Sequence, residues 1–342
     1  MKSSHVRLAF ALATTIAIAA SLTAAYAQRD WSKVEIKTIA VAPRIYMLQG
    51  AGGDIGLFVG DDGAFLIDDQ YAPVSDKIKA AVAAVTPKPI RFVLNTHWHG
   101  DHVGGNEAFA GGGAVIVAHD NVRTRMLVGQ LNELMKRTVD PAVPAALPVI
   151  TFTDTVTFHL DGEELFAFHV PPAHTDGDSA VVFRHADVIH TGDLLFNGTY
   201  PVLDVPSGGR LSGMIAADDQ LLAIAGPSTK IIPGHGNLAT PADLRAFRDM
   251  LATVRERVTP LVKAGKSADE VIAAAPLADL DGKWGQGFMK APDFLRAVHM
   301  SLMRELGIVA PVAAGSAAVP AASAAAAPTA TPSPTTSPTP HP

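Results

Sequence analysis

The run Thr96-His97-Trp98-His99-Gly100-Asp101-His102 directly follows Ile90 to Leu94, an apolar segment with the composition of a β-strand. Imidazole nitrogens and carboxylate oxygens are the ligands that zinc binds when thiolates are missing, and this chain contains no cysteine. Ligand-type residues two positions apart on an extended segment point the same way, so His97 and His99 are expected to share one ion. Asp101 and His102 are then left for a second ion. A solvated polar loop is the alternative, but the density of ligand-type side chains favours a metal site.

Length and composition favour a large folded region and disfavour nucleic acid as a partner. The chain has 342 residues, 48% of them hydrophobic, and a formal net charge of -6. This is enough to bury a sizeable core, and one large α/β domain fits as well as two smaller ones. No run of Lys and Arg interleaved with aromatic residues occurs, so the pattern expected of a protein that binds a phosphate backbone is missing. A small-molecule substrate is the expected partner.

The first 27 residues have the pattern of a secretory signal peptide. Lys2 and Arg7 precede the apolar stretch Leu8 to Leu22, and Ala25-Tyr26-Ala27 matches an A-x-A cleavage site. The stretch is short and ends in small residues, which favours a cleaved signal over a membrane anchor. We therefore expect a mature protein that begins near Gln28, is periplasmic or secreted, and has no stable membrane span.

The other end of the chain is predicted to be a disordered tail. Residues 311–342 are almost entirely Ala, Pro, Ser and Thr, a composition that cannot bury a core. The sequence thus divides into a signal peptide (1–27), a folded domain (28–310) and the tail.

Between these ends, apolar strands alternate with amphipathic helices, the order typical of an α/β fold. The predicted strands are Ile55 to Val59, Ala64 to Ile67, Ile90 to Leu94, Val115 to Ala118, Thr151 to Phe158, Leu165 to Val170, Ser179 to Phe183, Asp187 to Ile189 and Lys230 to Ile232. The predicted helices are Val74 to Val85, Asn121 to Arg137, Leu211 to Ile224 and further helices from Pro241 onward. Gly60-Asp61-Asp62-Gly63 predicts a hairpin between the first two strands.

Three later strands also end in ligand-type residues. His174 follows the strand that ends at Val170, within a tight polar turn. Asp193 follows Val188-Ile189-His190, and His235 follows Ile231-Ile232 within Pro233-Gly234-His235-Gly236. In α/β sheets, ligands commonly bind at the carboxyl ends of strands, so these residues are candidates for the same site.

The H-x-H-x-D-H run, the later histidine, the Gly-Asp pair and the Gly-His-Gly triplet together resemble the metallo-β-lactamase superfamily. The resemblance covers roughly Val34 to Met250, and the motifs occur in the family's order. It implies an α/β fold, specifically a four-layer αβ/βα sandwich of two mixed β-sheets with outer helices and a metal site at one edge.

The resemblance also implies two zinc ions per chain and assigns their ligands. His97, His99 and His174 would bind the first ion, Asp101, His102 and His235 the second, and Asp193 would bridge them. A bridging aspartate is typical of thiolesterase-like and lactonase-like members, whereas many penicillin-cleaving members have cysteine or serine there. This chain also has no lysine shortly after Asp193, where many of those members place one that binds the substrate carboxylate.

These features predict an exported dinuclear zinc hydrolase in which a hydroxide generated at the metal pair attacks a carbonyl, with Asp101 orienting it and transferring its proton. Asn197, Tyr200 and Arg210 are candidates for substrate binding. A β-lactam is the first choice of substrate because of the expected export, and a lactone or a thioester is the alternative. A non-catalytic metal-binding module of the envelope is a more distant alternative, and the sequence does not predict the oligomeric state.

Overall fold

The structure is a computed structural model and describes residues 29–132 and 137–308. The predicted signal peptide and tail lie outside the described residues, so these two boundaries stay predictions. The described strands are, in chain order, β1 (Lys37–Ala42), β2 (Ile45–Gln49), β3 (Ile55–Val59), β4 (Ala64–Ile67), β5 (Ile90–Asn95), β6 (Val115–His119), β7 (Gln130–Asn132), β8 (Arg137–Val139), β9 (Ile150–Phe152), β10 (Thr155–Leu160), β11 (Glu163–His169), β12 (Ser179–Phe183), β13 (Val188–His190) and β14 (Lys230–Ile232).

The α-helices of the described residues are α1 (Ser75–Val85), α2 (Gly100–Val103), α3 (Asn106–Ala110), α4 (Asp120–Leu127), α5 (Leu211–Ile224), α6 (Pro241–Lys263), α7 (Ala268–Ala273), α8 (Asp281–Trp284) and α9 (Ala291–Glu305). The longest, α6, begins at a capping box in which Thr240 and Asp243 each bond the other's backbone N–H. Among the described residues, no helix has both the length and the apolar character that crossing a membrane requires.

Two mixed β-sheets contain most of these strands. The first has the order β1-β2-β3-β4-β5-β6-β9, antiparallel from β1 to β4 and parallel from β4 to β9. The second has the order β10-β11-β12-β13-β14, and only its β13–β14 pair is parallel. β7 and β8 form a separate antiparallel pair.

The side chains that alternate along the strands show which layer each face of a sheet packs against. Phe65 and Ile67 of β4 pack with Val181 and Phe183 of β12 in a core between the two sheets. The neighbouring residues of β4 face the other way and pack with α1, whereas those of β12 pack with α5, α6 and α9. Period-two alternation thus buries both faces of each sheet and gives the expected four-layer αβ/βα sandwich.

Several sequence predictions are confirmed. The hairpin pairs Val59 with Ala64, and the helix Leu211–Ile224 and the strand Lys230–Ile232 have the predicted bounds.

Two predicted elements are wrong in part. The helix predicted from Asn121 to Arg137 ends at Leu127, because Val128 is extended, and the chain continues into β7 and β8. The strand predicted from Thr151 to Phe158 is two strands, β9 and β10, that belong to different sheets. Both predictions extend a correct element beyond the residue at which it ends in the structure.

Candidate metal centre

The ligand-type residues all follow strands that end at one edge of the sandwich. His97 and His99 come directly after β5, and Asp101 and His102 lie in the short helix α2 that follows. The second sheet supplies the other three, since His174 follows β11, Asp193 follows β13 and His235 follows β14. Asp193 lies in a 3-10 turn, Gly192–Leu194, in which Gly192 has a left-handed φ of 51°.

Two groups of potential ligand atoms form at this edge. The first group is His97, His99 and His174, which together with Asp193 have ligand atoms within 4.8 Å of one another. The second group is Asp101, His102 and His235, again within 4.8 Å. The structure therefore brings together all seven residues named from the sequence, in the predicted division. That they bind metal stays a prediction.

Asp193 lies between the two groups and turns one carboxylate oxygen to each. Its Oδ2 is 3.3 Å from His174 Nε2 and 3.7 Å from His97 Nε2. Its Oδ1 is 3.1 Å from His102 Nε2 and 3.3 Å from His235 Nε2. This is the geometry expected of a carboxylate that bridges two cations.

The polar atoms that face the centre fit a bound cation. His174 Nδ1 donates to the carbonyl of Val202 at 2.7 Å, so its Nε2 presents a lone pair. That Nε2 is only 2.9 Å from His99 Nδ1, and His97 Nε2 is buried without a hydrogen-bond partner among the described residues. Buried polar atoms are normally satisfied, and a cation bound between these nitrogens would satisfy them.

The charges of the site are strongly coupled. Burial opposes ionisation of Asp193, but four surrounding histidines hold its pKa well below the ordinary value. Burial also disfavours the charged form of His102, yet Asp193, Asp68 and Asp101 raise its pKa well above the ordinary value. The pKa of His235 is raised in the same way, against burial, chiefly by Asp193. In the metal-free protein, protons on these imidazoles therefore offset the carboxylate charge.

Metal binding is expected to release protons. The raised pKa values of His102 and His235 favour their protonated forms in the metal-free protein, and a metal ion must displace those protons to bind the imidazoles. We therefore expect protons to be released on metal binding, and the apparent metal affinity to rise with pH. A pH-indicator titration of metal-free protein with Zn²⁺ in weak buffer measures this. The variant His235→Ala should release fewer, and an affinity independent of pH would contradict the assignment.

Two carboxylates that the sequence analysis did not name contact the histidines from outside. Asp68 Oδ2 accepts from His102 Nδ1 at 2.8 Å, and Asp204 Oδ2 accepts from His99 Nε2 at 2.9 Å. Both carboxylates are buried. Asp68 follows strand β4, so the strand-end rule applied to the other ligands was a usable signal for it. Asp204 lies in an irregular loop, and nothing in the sequence marks it.

The three residues predicted to bind substrate have different surroundings. Asn197 is half-buried beside His235: its backbone N–H donates to the His235 carbonyl at 2.8 Å, and its amide donates to the Asn237 carbonyl. Arg210 is exposed at the start of α5. The structure corrects the prediction for Tyr200, which is 1% exposed, donates its hydroxyl to Asp281 and stacks on Phe294. Its ring is a core side chain. The roles of Asn197 and Arg210 stay predictions.

Comparison with known proteins identifies the family. A sequence model of the metallo-β-lactamase superfamily matches residues 49–235, which include all seven residues of the centre. The chain belongs to this superfamily. Superfamily relatives are named as hydrolases, and this chain is a metallo-hydrolase, hence an enzyme.

Individual relatives of this superfamily member are distant. A hydroxyacylglutathione hydrolase, GloC, from Haemophilus influenzae is 30% identical over 152 residues, which cover 44% of this chain and 71% of that protein. The alpha subunit of a 2,4-dinitroanisole O-demethylase from a Nocardioides species is 26% identical over 166 residues, which cover 45% of this chain and 47% of that protein. The match thus spans about half the length of the Nocardioides relative.

Solved structures confirm the fold. A metallo-β-lactamase from Pontibacter korlensis superposes with a TM-score of 0.53 at 17% identity, covering 64% of this chain and 99% of that chain. At this identity the likeness concerns the fold alone.

Proposed function

We propose that this metallo-hydrolase is an exported, dinuclear zinc enzyme that cleaves the thioester or ester carbonyl of a small molecule. The position of Asp193 carries the proposal, because its two oxygens face the two histidine groups separately. An aspartate at this position was expected of thiolesterase-like and lactonase-like members. The similarity to a protein named hydroxyacylglutathione hydrolase supports the same choice. This similarity favours a thioester substrate over the β-lactam that was the first choice from the sequence.

The residues of the site suit carbonyl hydrolysis. Two divalent ions held there would polarise the carbonyl and lower the pKa of water, so that hydroxide is available at neutral pH. Asp193 stays ionised because the surrounding histidines hold its pKa well below the ordinary value, so its negative charge would attract cations to the centre. Asp101 is 23% exposed, and its Oδ2 is 3.5 Å from His235 Nε2, so it reaches both the centre and solvent. It is placed to accept the proton of the attacking water and to return it to the leaving group.

The open side of the centre adjoins the second group. The side chain of His235 is 30% exposed, whereas those of His97, His102 and His174 are almost fully buried. The ring of Phe196 stacks on His235 with centroids 5.0 Å apart. A substrate therefore approaches beside His235 and Asp101, the most exposed side chains of the centre.

A substrate panel combined with elemental analysis tests the proposal. Purified protein is assayed with a hydroxyacylglutathione thioester, a simple lactone and a chromogenic cephalosporin, and its metal content is measured on the same sample. We expect two zinc ions per chain and the highest kcat/KM for the thioester or the lactone. Fastest turnover of the cephalosporin would replace this substrate class with β-lactams. One ion per chain, or no hydrolysis of any carbonyl substrate with two ions bound, would overturn the proposal.

Export is proposed from the sequence pattern of the first 27 residues. Fractionation of cells that express the full chain, followed by intact-mass analysis, should place the protein outside the cytoplasm with its first residue near Gln28. A full-length product in the cytoplasm would contradict export without affecting the assignment of the site.

A further inference from the structure

The hydrogen bonds of His99 fix which of its nitrogens faces the metal centre. Its Nδ1 lies 2.9 Å from His174 Nε2, among the atoms of the first group. Its Nε2 points away and lies 2.9 Å from Oδ2 of Asp204. Since a carboxylate accepts, His99 Nε2 carries a proton, and in the neutral ring Nδ1 then has the lone pair that could bind a metal ion. The side chain of Asp204 is 4% exposed and that of His99 12%, so the bond is largely shielded from water.

The loop that carries Asp204 is itself fixed to the first group. The backbone N–H of Asp204 donates to the carbonyl of His174 at 3.1 Å, and the carbonyl of Val202 accepts from His174 Nδ1 at 2.7 Å. The N–H of Ser207 donates to Asp204 Oδ1 at 3.2 Å, which fixes the carboxylate itself. At Gly209 an added Cβ would lie 2.5 Å from the His174 carbonyl oxygen, so the loop packs tightly against that residue. Residues 202–209 therefore orient two of the three histidines of the first group.

A different carboxylate supports the second group. Asp68 Oδ2 accepts from His102 Nδ1 at 2.8 Å and also from the hydroxyl of Thr96 at 2.7 Å. That hydroxyl is 3.0 Å from Nδ1 of His97, a member of the first group. Asp68 thus acts on both groups, directly on one and through Thr96 on the other. Among the described residues, the histidine that bonds to the Asp204 side chain is His99, which belongs to the first group.

We propose that Asp204 is a positioning residue that holds His99 in the form whose Nδ1 binds metal, and that it thereby sets the metal affinity of the first group independently of the second. The inference rests on the dinuclear site proposed above. Outer carboxylates that orient a ligating imidazole typically change metal affinity about 10- to 100-fold when they are removed. Removal of the Asp204 carboxylate should therefore change the metal affinity of the first group by a similar factor and leave that of the second group largely unchanged.

Variants that keep only one metal position separate the two affinities. In His235→Ala only the first group is complete, and in His97→Ala only the second. Asp204→Ala is added to each, and Zn²⁺ and Co²⁺ affinities are measured by competition with a chromophoric chelator. We expect Asp204→Ala to weaken binding about 10- to 100-fold beside His235→Ala and less than about threefold beside His97→Ala. The Co²⁺ absorption spectrum should change in the first background alone.

Two further variants sharpen the comparison. Asp204→Asn keeps an acceptor oxygen but loses the charge, so it should restore part of the affinity, which a merely structural loss would not predict. Asp68→Asn should weaken both positions. Asp219→Asn is the matched control, because that carboxylate is 49% exposed and pairs with Arg248 on the surface. If Asp204→Ala does not fold, Asp204→Asn carries the test.

The outcomes distinguish this inference from the proposed function. Equal weakening of both positions, or no weakening of the first, overturns the role of Asp204 while the unsubstituted protein still binds two ions and turns over substrate. Failure of the unsubstituted protein to bind two ions instead overturns the dinuclear site.

Discussion

Replacement of Asp193 by asparagine is expected to lower kcat/KM by roughly 10³-fold or more. The substitution keeps the shape of the side chain but removes its charge and turns an amide NH₂ toward one of the two histidine groups. Oδ1 and Oδ2 each lie 3.1 to 3.7 Å from histidine nitrogens, so one group loses an anionic neighbour whichever way the amide is oriented. Both positions of the proposed dinuclear site should lose affinity, because the oxygens of Asp193 face both groups.

Steady-state kinetics and elemental analysis on the same preparation measure this effect. Asp249→Asn is the control, since that carboxylate is 58% exposed, pairs with Arg248 on the surface and should change neither quantity. Full turnover with two ions bound to Asp193→Asn would remove the bridging carboxylate from the mechanism.

Replacement of Gly213 by alanine is expected to lower the free energy of unfolding by about 3 kcal/mol. Gly213 lies in the first turn of α5, and an added Cβ would be 1.7 Å from the carbonyl oxygen of Pro172 and 3.2 Å from Cα of Ala173. These are backbone atoms, so no side-chain rotation relieves the clash. Pro172 and Ala173 immediately precede His174. To relieve the clash, α5 and the segment that holds His174 in the first group must move apart.

Denaturant unfolding of metal-free protein and a zinc titration test this second effect. We expect lower stability and also weaker zinc binding. Gly282→Ala is the matched control: Gly282 lies in α8 with nothing within 4 Å of the added Cβ, and alanine there should leave stability equal or slightly higher. Equal effects of the two substitutions would show that α5 does not support the His174 loop.

The sequence contained most of the information on the site because the ligand-type residues follow strands. Four of them are within six positions of one another, and His174, Asp193 and His235 each follow an apolar strand, so one rule finds all seven. Asp204 could not be found in this way. Its importance arises from a contact with a histidine 105 positions away, which only the folded loop creates.

Local sequence patterns also gave wrong predictions where contacts between residues distant in sequence determine the structure. The apolar pattern from Thr151 to Phe158 does not reveal that the chain leaves one sheet and enters the other between β9 and β10. Tyr200 follows the Asp193 turn closely in sequence, yet Phe294 and Asp281, both distant in sequence, bury it. Proximity along the chain to a site residue is therefore weak support for a role in substrate binding.

The division of the centre between the two sheets has a consequence for assembly. The residues after β5 supply His97, His99, Asp101 and His102, and the second sheet supplies the other three. Neither half of the chain has a complete ligand set, so a tight site exists only after the halves have docked. Ions bound there would link the two sheets, and their binding free energy would add to the free energy of unfolding. Metal loading of the proposed site should therefore follow docking of the two sheets, and a chelator should lower the free energy of unfolding.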